Sequence, residues 1–584
     1  MADGRRNNII MSTNVEKLQE HNNLNASDPY RRTEQTYPRL NDDIIDRIRK
    51  YGTEEEYQAG HVLFERGESE VDFFVVLTGS IEIYEHRNDG THVITSHCEK
   101  QFTGELDLFN SRQILVGGRI GKAGRVIRVN RVDFKRMLAS EADISEIITR
   151  AFILRRVGLV SHKQGSVTLL RNAENSDAMR IERFIKRNGY PVEIVDCSSD
   201  ECQTYYKKYD LKEENLPAVI IHLGERVISN PSNFQLAECL GLVEPIDSDH
   251  LYDIAIVGAG PAGLSAAVYA ASEGLDTIVL ENEAAGGQAS TSSKIENYLG
   301  FPTGISGQAL AGRAQVQAMK FGAKIALPHK ISDLVCTDKG YGLHLCNGCT
   351  IRAKAVVAAT GASYRTLNLP NSRDYDNLGV YYGATGMEAA ICAGQEVIVV
   401  GGGNSAGQAA VYLSQHAKHV YMLIRGESLA SSMSSYLIER IHNSKHITLL
   451  NHTEITKLEG EKHLQHVTWT NNVSGKKEKK DIRHVFLMIG AAPNSGWIAE
   501  QVMCDEKGFI LTGESIAEHG QCFNGRAPMA LETNRAGIFA AGDIRSGSTK
   551  RVAFAVGDGS LSISQVHQYL AEFNERHAQK EAAA

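Results

Sequence analysis

The 584-residue chain has little cysteine, little proline and no excess of basic charge. Ten cysteines are too few for a disulfide scaffold and fit a reducing cytosol, so a cytoplasmic location is expected. The 62 basic and 70 acidic side chains leave a formal net charge of −8. That balance argues against nucleic-acid binding, which needs a basic face for the phosphates. No run reaches the roughly 18 uninterrupted apolar residues of a membrane span. The polar start MADGRRNNIIMSTNVEKLQEHNN lacks the apolar stretch of a secretory signal. The 42% hydrophobic fraction nevertheless suffices for several cores and excludes wholesale disorder. At about 150 residues per domain, the length suggests about four domains. Glycine is abundant, 53 residues against 12 prolines, and gathers in two clusters.

The pattern along the chain predicts a multidomain α/β protein. Residues 1–38 are polar, rich in Asn and Arg, and without apolar periodicity, so a disordered segment is expected. From 39 to 160, short alternating strands with Gly turns precede helices. VDFFVVLTGSIEIYEHRNDGTHVI alternates around Gly79, with Asp89-Gly90 as a hairpin turn. SEADISEIITRAFILRRVGLV has helical spacing with basic residues late, as a helix C-terminus favours. Through FERGE at Gly67, LTGSIEIY at Gly79 and FTGELDLF at Phe102–Phe109, this β-roll stretch resembles a cyclic nucleotide-binding domain. The resemblance makes Glu105 the ribose-holding acid of the phosphate-binding cassette. Where that family carries its phosphate-binding arginine, ten positions after Gly104, this chain has Ile114, and the nearest arginines are Arg112 and Arg119. A cyclic phosphate would lack its bidentate partner. No cyclic-nucleotide binding is expected, and the domain is read as a structural or protein-contact module.

Residues 163–244 run strand GSVTLL, helix NSDAMRIERFIKRNG, strand YPVEIVDC, a second helix, hairpin LPAVIIHLGERVI and helix SNFQLAECLGL. This order resembles a thioredoxin or glutaredoxin fold, with Leu216-Pro217 at the family's cis-proline position. The family's redox cysteines belong between the first strand and first helix, where RNAENSD has none; Cys197 and Cys202 follow the second strand instead. A docking module without redox cysteines is expected.

The two glycine clusters each follow a buried apolar strand and open a helix. In YDIAIVGAGPAGLSAAVYAASEGLDTIVLEN, Gly258 allows the tight turn, Gly260 a close backbone approach to a pyrophosphate, and Gly263 close helix–strand packing. Pro261 and Ala262 complete the motif at the helix N-terminus, whose amides and dipole suit an anion. Glu281 ends the return strand at the distance expected for a ribose-binding acid. In QEVIVVGGGNSAGQAAVYLSQHAKHVYMLIRGESL, Gly401, Gly403, Asn404, Ser405 and Ala406 repeat the logic. There the second strand ends at Arg425, with Ser428, Ser431 and Ser432 downstream. Arg and hydroxyls suit a 2′-phosphate that an acid would repel, which favours NADPH over NADH. The competing reading makes Arg425 an ordinary surface residue.

GGQASTSSKIENYLGFPTGISG from Gly286, AATGASYR at Thr360-Gly361, IGAAPNSGWI from Ile489 and GIFAAGDIRSGSTKRVAFAVGDGS at Gly542-Asp543 complete a recognisable series. Residues 250–570 resemble a low-molecular-weight thioredoxin reductase. The whole chain resembles a fusion of that enzyme to the two N-terminal modules. The resemblance implies an FAD-binding domain over 250–367 and 489–575, interrupted by an NADPH-binding domain over 368–488. It implies that Gly287, Gln288 and Asn297 line the flavin and that Thr360 and Gly361 pass close to it. It also implies that Asp543, after Gly542, accepts a ribityl hydroxyl. Arg551, Val552 and Ala553 stand where the family has Arg-Gln-Ala beside the flavin ring, Val552 being a departure. A homodimer with a rotating NADPH domain is implied as well.

The chemistry departs from the family. Its C-x-x-C-D motif maps onto Ala384-Thr385-Gly386-Met387-Glu388, so both redox cysteines are replaced. Methionine forms neither a disulfide nor a flavin–thiolate adduct. Glu388 is a candidate proton donor, or simply a helix-start carboxylate. The chain does hold one C-x-x-C, Cys346-Asn347-Gly348-Cys349, but Asn-Gly is a hairpin signal and no further ligands follow at zinc spacing. An incidental hairpin and no metal are expected. The expected function is a flavoprotein oxidoreductase that moves hydride from NADPH to FAD and onward to an external acceptor without an internal dithiol. That acceptor could be a quinone, a small disulfide, oxygen or a redox protein. Two alternatives stay open: a flavin-bearing sensor or scaffold whose N-terminal modules recruit partners, and a true thioredoxin-disulfide reductase using another cysteine pair.

Overall fold

A computed structural model describes residues 28–583 apart from 88, 111, 173–174, 222–223, 293–294, 296–297, 338, 377, 385, 462 and 518–525. Its first ordered residues correct an expectation. Residues 28–38, read as disordered, form a turn Pro29–Arg31 and a short helix Thr33–Thr36. Tyr30 stacks on His162 at 4.8 Å and donates its hydroxyl to Gln164 Oε1 at 2.7 Å. Thr36 is buried, its hydroxyl on the Pro29 carbonyl. Two tyrosines and a helical turn anchor a segment whose average composition is polar.

The β-roll consists of two antiparallel sheets. One runs Thr53–Tyr57, Gly124–Val129, Phe73–Val76; the other runs Val62–Phe64, Gly117–Lys122, Ser80–Arg87, Gly90–His97. Helix α1 (Ala142–Ser161) closes the roll, with Phe152 buried against Phe73, Phe102, Phe109 and Phe134. The late basic residues of α1 serve a different purpose from the one expected. Arg155 and Arg156 point into the protein several residues before the helix end.

The next sheet has the order Arg226–Ser229, Ala218–Ile221, Val167–Arg171, Val192–Asp196. The last two strands are parallel and the other pairings antiparallel. Helices α2 (Ser176–Arg187) and α3 (Asp200–Tyr209) follow the two parallel strands. The Leu216–Pro217 peptide is cis.

Two parallel sheets follow. In the first, Lys324–Ala326, Thr277–Leu280, Leu251–Val257 and Thr350–Ala358 are neighbours, Ile538–Ala540 also pairs with Thr350–Ala358, and an antiparallel meander completes the edge. In the second, Val380–Tyr381, Val485–Leu487, Glu396–Val400, His419–Leu423 and Ile447–Leu450 are all parallel. The chain passes between the two sheets through the paired strands Ala362–Tyr364 and Ala491–Pro493. Helix α4 (Pro261–Ser272) follows the first strand of the first sheet. α5 (Gly307–Lys320) and the terminal α8 (Val552–Ala583) pack on α4, while α6 (Gly386–Ile391) and α7 (Asn404–Leu413) belong to the second unit. One continuous apolar cluster runs from Leu40 in the roll through Tyr190 and Leu242 to Phe573 on α8. No described helix is long and apolar enough to cross a membrane.

Candidate functional site

The strand Leu251–Val257 is apolar because both sheet faces are covered, and it ends at Gly258 with φ +103°. Helix α4 begins with Gly260 as its cap and Pro261 in its first turn, where a missing amide hydrogen costs nothing. No side chain caps that terminus, so its amides stay free for an anion. Gly260 faces Gly287, and a Cβ on Gly287 would come within 3.0 Å of the Gly260 backbone. A methyl group on either residue would fill the cradle between them. Ala262 is buried behind the turn. Glu281 is half-buried. Its carboxylate accepts the Ala259 amide at 2.8 Å and the Glu283 amide at 3.0 Å. Burial pushes this carboxyl upward and the two amides pull it back. The arrangement fits a dinucleotide: a free helix terminus for the pyrophosphate and a fixed acid for ribose hydroxyls.

The remaining first-unit residues gather around the chain crossing. Gln288 donates to the Ala362 carbonyl at 2.6 Å, which ties its side chain to the crossing strand. Thr360 donates its hydroxyl to the Asn494 carbonyl at 2.7 Å and receives the Asn494 amide group at its own carbonyl at 2.8 Å. Gly361, at φ +66°, opens onto empty space. The Gly542 amide donates to Asp558 at 3.0 Å. Burial raises the Asp543 carboxyl, and the ammonium of Lys550, bound to the Asp543 carbonyl at 3.1 Å, opposes that rise. Arg551 and Ala553 are exposed and Val552 half-buried at the start of α8. Asn297 lies outside the described residues. Asn494, Trp497, Asp558, Lys550 and Arg187 also shape this region and were not anticipated. Asn494, Trp497, Lys550 and Asp558 lie in quoted motifs, whereas Arg187 belongs to the preceding module and carries no local signal for this region.

In the second unit Gly401 takes φ +139°, and a Cβ there would meet the Met488 carbonyl at 2.4 Å. Gly403 caps α7 without side-chain help. Asn404 accepts the Ser434 amide at 2.8 Å, Ser405 is exposed, and Ala406 is buried. The Arg425 side chain is 82% exposed, with Glu454 at 4.0 Å. Ala384 packs on this unit's core, whereas Thr385 and the Met387 side chain lie outside the description. Glu388 is half-buried in the first turn of α6, and Cys392, one turn on, is buried beneath it. Burial raises the Cys392 thiol, consistent with an inert core cysteine. Cys346 and Cys349 flank the hairpin turn before Thr350–Ala358, and both are free thiols.

The roll's cassette is closed by the chain itself. Arg156 of α1 donates Nε to Glu105 Oε2 at 2.7 Å and Nη2 to Glu105 Oε1 at 2.5 Å, and it also reaches Asp107. All three residues are buried. Burial raises Glu105; at Asp107 burial also acts upward, but the Arg156 and Arg112 charges and the hydrogen bonds to Glu105 and Arg156 together lower it. Ile114 is buried in the apolar cluster. Among the described residues no group of three or more His, Cys, Asp or Glu side chains could hold a metal.

The family model for pyridine nucleotide-disulphide oxidoreductases matches residues 252–559, and that for the cyclic nucleotide-binding domain matches residues 54–141. A thioredoxin reductase from Bacillus subtilis is 32% identical over 331 residues, 56% of this chain and 98% of the relative. One from Mycolicibacterium smegmatis is 32% identical over 325 residues, with the same coverage of 56% and 98%. The crystal structure of thioredoxin reductase from Streptococcus pyogenes is 29% identical, covering 55% of this chain and 99% of that one, at a TM-score of 0.49.

Proposed function

The chain belongs to the pyridine nucleotide-disulphide oxidoreductase family, and on that premise we propose that it is an FAD- and NADPH-dependent oxidoreductase that delivers electrons to an external acceptor with no dithiol beside the flavin. The observation that carries this reading is the pair of uncapped helix termini, at Gly260 and Gly403, with Ala384 and Met387 in place of the redox cysteines. Bound FAD and NADPH supply hydride chemistry. The chain's residues bind and orient them. Gly258, Gly260, Pro261, Ala262, Gly263 and Gly287 shape the FAD pyrophosphate cradle. Glu281 takes a ribose hydroxyl, and Gln288, Thr360, Gly361, Gly542 and Asp543 border the flavin. Gly401, Gly403, Asn404, Ser405 and Ala406 receive NADPH, with Arg425 on its 2′-phosphate. Arg551, Val552 and Ala553 border the ring, and Glu388 holds the proton for the acceptor. The cytoplasm, with its reducing poise, suits the free thiols. A homodimer belongs to this reading; Phe554 and Leu561 leave apolar surface on α8.

The test is anaerobic mixing of FAD-loaded protein with NADPH. The flavin absorbance should bleach, small acceptors should restore it, and added thioredoxin should stay oxidised. Thioredoxin turnover at ordinary enzyme rates, on the order of 1 to 10³ per second, would overturn the claim. If Cys346→Ser abolished that turnover, the hairpin pair would be the relay. In the roll we propose that Arg156 occupies the cassette in place of a ligand. Calorimetry with cyclic AMP or GMP should show no micromolar binding; saturable binding lost in Glu105→Ala would refute it.

A further inference from the structure

Cys197 and Cys202 are five residues apart, but the fold brings them together. Cys197 sits in the turn after Val192–Asp196, its amide donating to the Arg171 carbonyl at 2.9 Å. Cys202 lies in the first turn of α3, its amide on the Ser199 carbonyl at 3.2 Å. The two side chains share one apolar cluster, with Tyr206, one turn further on, packed against the same cluster. Cys202 is fully buried among Leu170, Val195, Ala218 and Ile220, while Cys197 is partly exposed at the rim of that cluster. Among the described cysteines, Cys392 is buried in the second unit and Cys346 is exposed on its hairpin.

The topology gives this pair a meaningful place. Val167–Arg171 and Val192–Asp196 run parallel, so their C-terminal ends share one edge of the sheet. The loop where a thioredoxin-type fold carries its dithiol leads into α2 from that edge. Cys197 is bonded to the last residue of the strand before that loop, one strand away from the empty position. The opposite end of α2 docks on the first dinucleotide unit. There Arg187 donates to Glu283 at 2.8 Å and to the Gly287 carbonyl at 3.2 Å, and Asn188 donates to the Glu283 carbonyl at 3.1 Å. Twelve helical residues separate the two ends, a rise of about 18 Å. The cysteine pair is therefore on the end of its module turned away from the flavin loop.

We propose that Cys197 and Cys202 form a thiol–disulfide exchange centre for low-molecular-weight disulfides, separate from the flavin chemistry. The accessible Cys197, as thiolate, attacks a disulfide RSSR, forming a Cys197–S–S–R bond and releasing one thiolate, which takes up a proton as RSH. Cys202 then attacks the Cys197 sulfur, forming the Cys197–Cys202 bond, and its proton passes to the departing thiolate, released as the second RSH. One RSSR is reduced to two RSH as two protein thiols become one disulfide. Burial pushes the Cys202 thiol up to about 12, so Cys202 stays protonated and the accessible Cys197 is the attacking thiol.

The test uses the full-length, FAD-loaded protein equilibrated in glutathione and glutathione disulfide, followed by alkylation and peptide mapping. The wild type should lose two alkylatable thiols and yield a 197–202 cross-linked peptide. Cys202→Ala should instead accumulate a stable glutathione adduct on Cys197. Cys197→Ser should lose both products with NADPH oxidation unchanged. Recovery of Cys197 and Cys202 as alkylated thiols while the exposed Cys346 becomes glutathionylated would overturn the proposal. A glutathione adduct persisting on Cys197 in the wild type would do the same. The wild-type map decides even if Cys202→Ala fails to fold, and neither result bears on the flavin assay.

Discussion

The two glycine-rich turns share a backbone path and differ in enclosure. In the first, a Cβ on Gly263 would lie 1.8 Å from the Gly258 carbonyl, so helix and strand meet with no room for a methyl group. In the second, Ala406 holds the corresponding place with its methyl group buried. The first turn ends on a half-buried acid tied to two backbone amides, the second on an arginine in solvent. The first is further braced by Arg187 from the preceding module. Enclosure of this kind suits a dinucleotide that stays, and openness one that must enter and leave with each turnover.

The largest break in that contrast is Gly263→Ala. Overpacking against a backbone oxygen should cost about 3 kcal/mol or more, and the protein should purify with little flavin, read from its visible absorbance. Full flavin content would show that the first turn is not so tightly closed. Arg425→Ala comes next. Losing one charge-assisted contact is worth about 1.5 kcal/mol at an exposed site, so the KM for NADPH should rise roughly tenfold while that for NADH barely moves. Equal effects on both would take Arg425 out of the site. Arg187→Ala sharpens the comparison from the other side. It removes contacts to the FAD-side loop alone, so the Kd for FAD should weaken by about 1 kcal/mol, roughly fivefold, with the KM for NADPH unchanged. The smallest effect belongs to Ala406→Gly, which should lower stability by about 1 kcal/mol or less in a thermal melt and leave nucleotide binding intact.

Much of this site could be read along the chain because its constraints are local. Gly258 and Gly401 need positive φ, and Gly260 and Gly403 begin helices directly after buried strands, features that residue order alone reveals. Asn494 could have been singled out within its motif, yet nothing there showed its amide closing on Thr360, 134 residues away. Residues 28–38 were misread for the opposite reason. Their average polarity hides Tyr30, whose partners His162 and Gln164 are more than 130 residues distant.

Charge and sulfur show the same division. That Ala384–Glu388 holds no cysteine can be seen in any linear copy of the chain, since a missing thiol needs no fold to be missing. That Arg156 would turn inward onto Glu105 and Asp107 could not be seen there. Its helical position is equally compatible with a solvated C-terminal face, and only burial against the cassette makes its charge a partner for two acids. Likewise, Cys197 and Cys202 read as scattered residues after a strand until the turn into α3 brings both to one apolar cluster. Backbone rules act over three or four neighbours and are written in order along the chain. Ion pairing and burial act through space, and the packing of distant segments chooses the partners.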